Sequence, residues 1–171
     1  MIIGGSLLGH VVYGAEIGTG GAYQPIPQEV SEIKTILSTN AKLPWWQKLL
    51  FDAYDKHFYR EYRSAVVEAG TAFEVFVYDF IRKGYVRLGK TEQEIEDIFK
   101  SGLKNLLLDH VRILTGKDFR NSNEYTLWES NLYKMRNQIV HRGAMATDVD
   151  SAKAANTVGD TIKFMLSLNY I

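Results

Sequence analysis

The sequence predicts an all-α protein: a helical bundle of about five helices, preceded by an irregular segment rich in Gly and Pro. Three observations predict it. From Gln28 onward, apolar residues recur three and four positions apart over long runs. Helix-start signatures stand at the heads of such runs: Thr91 with Glu94 three residues on, and Thr147 ahead of Asp148 and Asp150. Pro44, Gly84, Gly116 and Gly143 fall where the runs break.

Taken in order, residues 1–31 stand apart. They are Gly-rich, hold two of the three prolines and carry almost no basic charge. "HVVYGAEI" reads as one short strand, which is unstable alone in water. The segment therefore packs on the main domain, is swapped onto a partner, or is the remnant of a larger protein. "GTGG" lacks the Lys-Ser/Thr of a phosphate loop. Residues 32–171 form the helical domain. A weak helix is expected over 28–37, and a second over 45–57 with Pro44 in its first turn. Trp46, Leu49, Leu50, Ala53 and Tyr54 make the apolar side of that second helix. A third helix is predicted over 60–82, with a stripe of Ala65, Ala69, Ala72, Phe73, Phe76 and Phe80, ended by Gly84. One or two helices follow Thr91 up to Gly116. The next starts behind Ser122 or Asn123, with a seam of Trp128, Leu132, Met135 and Ile139. The last follows Thr147, with Ala152, Ala155, Val158, Ile162, Met165 and Leu166 as its apolar face.

Composition narrows the function classes. Twenty basic and 20 acidic residues give a formal net charge of zero, so wholesale electrostatic binding to nucleic acid or an anionic membrane is not indicated. The absence of cysteine removes disulfides and Cys-based zinc sites and fits a reducing cytosol. No run approaches the ~18 apolar residues of a spanning helix, so a soluble, cytoplasmic protein is expected. No His and carboxylate cluster has metal-ligand spacing, and no cofactor is implied.

The most unusual stretch is "YKMRNQIVHRG", residues 133–143. At ~100° per residue, with the seam set to zero, Arg136 lies about 80° to one side, Asn137 about 180° away and His141 about 220° away. Asn137 and His141 are surface neighbours four apart. Tyr133 and Val140 lie between Arg136 and Asn137. Arg136 offers a planar fork of donors suited to phosphate, Asn137 both donates and accepts, and His141 is the residue type for proton transfer at neutral pH. The three make a metal-free phosphodiester site. One His is base or acid but not both at once, and a symmetric dimer would bring two. The same cations near a helix C-terminus are also what the helix dipole favours without any chemistry.

The stretch "RNQIVH" matches the Arg-polar-x-x-x-His signature of HEPN domains, with Asn directly after Arg. "YREYRSAVVEAGTAFEVFVYDFI" resembles that superfamily's early long helix, where an Ala-rich run leads to a Glu, here Glu74. "LYKMRNQIVHRG" resembles its motif helix, and "DVDSAKAANTVGDTIKFML" its closing helix. The likeness covers 44–170. It implies a homodimer whose motif helices meet at the interface, and metal-independent endoribonuclease activity on single-stranded RNA that leaves a 2′,3′-cyclic phosphate. Arg136 and His141 would be catalytic with Asn137, and Glu74 and Tyr133 supporting. It also implies a toxin with an antitoxin, or an antiviral defence effector with a fused sensor partner. Some toxins of the superfamily carry a Tyr two residues after the His. Gly143 stands there, which argues against that subtype. Many members are non-catalytic interaction modules, and that is the alternative function.

Among other residues, "DKHFYREYR" could line an RNA path through His57, Tyr59 and Tyr62, or be a helix junction with a solvated basic side. His110 reads as a partly buried structural histidine. Glu74 sits among aromatics and needs a partner. We expect it to orient Arg136 or His141. Trp45 and Trp46 read as core or interface anchors.

Overall fold

The computed structural model describes residues 43–171. The strand expected in "HVVYGAEI", the irregular segment 1–31 and the weak helix over 28–37 lie outside the described residues. Joining helical segments that abut, the described residues form six helices and no strand. Helix α1 is Trp45–Phe58, α2 is Tyr62–Arg87, and α3 is Glu92–Phe99. Residues 103–115 form α4 and residues 123–142 form α5, each with an internal π-helical turn, Leu106–His110 and Trp128–Tyr133. Helix α6 is Asp148–Ser167, and a 3₁₀ turn, Phe119–Asn121, precedes α5. The one or two helices expected between Thr91 and Gly116 are two. No described helix is long and apolar enough to cross a membrane.

Helix α2 is the hub. Its predicted stripe, Ala65, Ala69, Ala72, Phe73, Phe76 and Phe80, is buried throughout. Its small residues let α1 and α6 approach, and its aromatics fill the other half. Phe76 meets the Trp46 ring edge-on at 5.3 Å, and Phe73 lies 6.1 Å from Trp128. Each such side chain contributes on the order of 1.5–3 kcal/mol by leaving water. A short turn at Tyr59–Glu61 folds α1 back on α2; Arg60 there takes φ 64, a left-handed conformation uncommon outside glycine.

Three expectations are corrected. Gly84 does not end α2, which runs on to Arg87. A Cβ at Gly84 would lie 2.6 Å from Leu114 Cδ1 and 2.8 Å from Tyr170 Cε1, so this glycine is a close-packing point against α4 and the C-terminal tail. The chain leaves the helix around Gly89, at φ 77. The buried side of α6 is Ser151, Ala154, Ala155, Val158, Ile162 and Met165, while Ala152 is only half-buried and Leu166 is exposed. In α5, Trp128, Leu132 and Ile139 are buried but Met135 is only partly so. The π turn is wider than an α turn and advances each residue by less than ~100°, so wheel arithmetic begun at Trp128 loses register beyond it.

Helix starts follow the sequence closely. Thr91 and Thr147 each close a reciprocal capping box, with Glu94 and with Asp150, and Ser122 caps α5 through the Tyr125 N–H. The Thr91 N–H and hydroxyl, with Lys90, hold the Glu94 carboxyl down from its ordinary 4.5 to about 2. The Thr147 N–H and hydroxyl likewise lower that of Asp150. Because the folded values lie below the unfolded ones, the unfolded chain takes up protons first on acidification. The stabilisation is present above pH 4.5 and disappears as pH falls towards 2. Urea titrations at stepped pH are expected to show the midpoint falling across that window. Glu94→Gln should flatten part of the fall.

Candidate functional site

The site forms where α5 crosses α2. Gly70 and Glu74 stand one turn apart on α2, facing the same way. Arg136 of α5 lays its side chain over them. Its Nη2 donates to Glu74 Oε2 at 3.5 Å, a contact at the long limit of a hydrogen bond. The two side chains are 32% and 34% exposed, so the guanidinium is anchored at one edge and open to water at another. Its Nε is buried with no hydrogen-bond partner. The stem rests on Gly70: a Cβ there would lie 2.4 Å from Arg136 Cδ and 2.8 Å from Nε. Leu132, Arg136 and Ile139, at four- and three-residue spacing, continue the α2-facing stripe past the π turn.

Glu74, expected beside Arg136 or His141, lies against Arg136. Gly70 is not among the residues that the sequence pattern singles out. The available signal was a glycine inside a helical run, one turn ahead of that Glu.

His141 lies in the last turn of α5 and is exposed. It stands five positions after Arg136, about 7.5 Å of helix rise. Asn137 is half-buried one turn before His141. Gly143, at φ 67, turns the chain away, and the N–H groups of Gly143 and Ala144 satisfy the Ile139 and Gln138 carbonyls. Tyr133 is half-buried, its ring 5.0 Å from Trp128 with the Lys104 ammonium 5.9 Å from its own centre. It therefore braces the helix rather than lying free beside the motif. Val140, Met145 and Val149, on the same stretch, are exposed apolar residues. A cleft of about 480 Å³ opens beside α5, lined by Lys56, Arg63, Ser64, Val67, Glu68 and Ile139. Lys56 is paired with Glu68 at 2.8 Å.

His57 is mostly buried in the wall of a cleft that it shares with Phe58, Arg60, Tyr62 and Asp148. Its Nδ1 is 2.8 Å from Ser151 Oγ, its Nε2 is 3.4 Å from Asp148 Oδ1, and its side chain is 11% exposed. The Ser-His-Asp grouping is not a nucleophile site: Ser151 is fully buried and its hydroxyl donates to the Asp148 carbonyl. The cluster joins the end of α1 to the start of α6. Tyr62 packs tilted on the His57 ring, while Tyr59 is exposed against Phe58. His110 is half-buried, its Nδ1 2.6 Å from Tyr85 Oη. Burial pushes it down from its ordinary value, against an upward pull from Asp109. Trp46 is core, whereas Trp45 is 62% exposed with Lys48 over its ring. No group of three or more metal-ligating side chains occurs among the described residues.

No family model, curated protein or solved structure matches the chain. What defines the site is therefore its own geometry: an arginine presented at a helix crossing in an all-helical bundle, with an exposed histidine further along the same helix.

Proposed function

We propose that the chain is a HEPN-type endoribonuclease that cuts single-stranded RNA without a metal, at a site completed by a second copy of itself. The observation that carries this is the presentation of Arg136. Arg136 touches Glu74 at the long limit of a hydrogen bond and keeps part of its donor fork in water, which leaves donors free for a ligand. A phosphate is the ligand whose geometry suits such a fork.

Arg136 holds the scissile phosphate and offsets the charge that builds on it. One His141 takes the proton from the 2′-OH, whose oxygen attacks phosphorus. The His141 of the second copy gives a proton to the leaving 5′-oxygen, and a 2′,3′-cyclic phosphate remains. Arg63 in the adjacent cleft would follow the RNA backbone. A toxin held by an antitoxin, or a cytoplasmic defence effector under a fused sensor, is the setting this activity fits.

The test uses the purified full chain, mixed single-stranded RNAs and a chelator. Wild type is expected to leave cyclic-phosphate and 5′-OH ends, and Arg136→Ala to slow cleavage by about 10²–10³ fold, as removal of one preorganised charge-stabilising donor does. No cleavage by wild type, or equal cleavage by the variant, would sink this reading. The exposed Val140, Met145 and Val149 favour a second reading, a non-catalytic dimerisation module. There, Arg136→Ala would weaken self-association and RNA would stay intact.

A further inference from the structure

We infer that Gly70 is a positioning residue for Arg136, kept as glycine to give the arginine stem its path across α2; the inference rests on Arg136 being the phosphate-binding group proposed above. Two glycines sit buried inside α2, Gly70 and Gly84, and neither needs a left-handed backbone. In a helix interior alanine is favoured over glycine, so each place must return something for it. At Gly84 the atoms nearest an added Cβ belong to Leu114 and Tyr170, which are core and tail packing. At Gly70 the three nearest are Cδ, Nε and Cγ of Arg136, at 2.4, 2.8 and 3.5 Å.

Outside the neighbouring turns of α2 itself, no backbone atom and no core side chain comes nearer to that position. The space left by the missing methyl is filled by one flexible, half-exposed side chain. Filling it displaces the stem of Arg136, whose outer end already reaches water. That displacement would lift Nε from its buried place and carry the guanidinium off Glu74. Gly70 therefore sets where the donor fork points, and Glu74 only steadies its edge.

The experiment compares Gly70→Ala with Gly84→Ala. For Gly70→Ala, a melting temperature equal to or above wild type is expected, with RNA cleavage down about 100-fold, the cost of misplacing a group by about 1 Å. For Gly84→Ala, the melting temperature is expected to fall. The readout independent of activity is the Arg136 Nε–H cross-peak in a ¹⁵N spectrum, identified by its loss in Arg136→Ala. It should be protected from exchange in wild type and exposed in Gly70→Ala. If Gly70→Ala destabilises the fold, Gly70→Ala/Arg136→Ala decides. A positioning glycine loses its penalty once the arginine is gone, and a structural one keeps it. An unchanged Nε–H signal in Gly70→Ala, or a penalty that persists in the double variant, overturns the inference. If wild type cuts no RNA, the ribonuclease reading fails on its own, and the Nε–H signal and the double variant still decide this one.

Discussion

His141→Ala is expected to slow RNA cleavage by about 10³ fold, within the range a positioned proton-transfer group supplies, while leaving the melting temperature where it was. The two halves of the result have separate causes. His141 is exposed at the end of α5, and truncating it uncovers no core and leaves no buried partner. Its loss removes both the base from one copy and the acid from the other, since each copy supplies the same residue to the shared site. Mixing the variant with wild type sharpens the result. Heterodimers of His141→Ala with Arg136→Ala carry a single His141, so with base and acid divided between copies they are expected to stay inactive, and recovered cleavage would show that one His141 is enough. First-order cleavage rates and thermal melts on the same preparations make the measurement. Cleavage by His141→Ala at the wild-type rate would overturn the catalytic role.

Trp128→Ala is expected to cost about 3–5 kcal/mol of stability, a large part of the 5–15 kcal/mol typical of a domain. Trp128 is 1% exposed and opens the π turn of α5. Its ring lies 6.1 Å from Phe73 on α2, 6.5 Å from Phe119 in the 3₁₀ turn, and 5.8 and 5.0 Å from Tyr125 and Tyr133 on its own helix. One side chain thus ties three segments together, and flexible neighbours cannot fill the space it would leave. The urea midpoint should drop with little change in slope. The same loss should loosen Arg136, two turns further along α5, so any cleavage left in the folded fraction should fall too. A cost below about 1 kcal/mol, the scale of a conservative core swap, would mean that the ring cluster does not hold α5 in place.

These effects separate what can be read along a chain from what cannot. Helix starts were legible because caps are local: Thr91, Ser122 and Thr147 bond to N–H groups within three residues. The α2 stripe was legible because its spacing is regular and its residues unambiguous. Gly84 misled because a glycine serves two purposes, to end a helix or to admit a neighbour, and only Leu114 and Tyr170, distant in sequence, say which. The α5 seam slipped at Met135 because no residue pattern announces a π turn.

For the candidate site, the sequence by itself determined the chemistry on offer: a cation with a planar fork, an amide and an imidazole within one helical stretch, and a carboxylate on another. Residue types and their spacing decide that much, since both are properties of the chain. Only the tertiary structure decided which of them meet. Arg136 reaches Glu74 across 62 residues because α5 and α2 cross there, and it crosses over Gly70 because no other residue type leaves the room. It left His141 in water and tied His57 to Ser151 and Asp148 at the junction of α1 and α6. Contacts between helices depend on the register of one helix against another, and that register is set by the whole packed core rather than by any stretch of sequence.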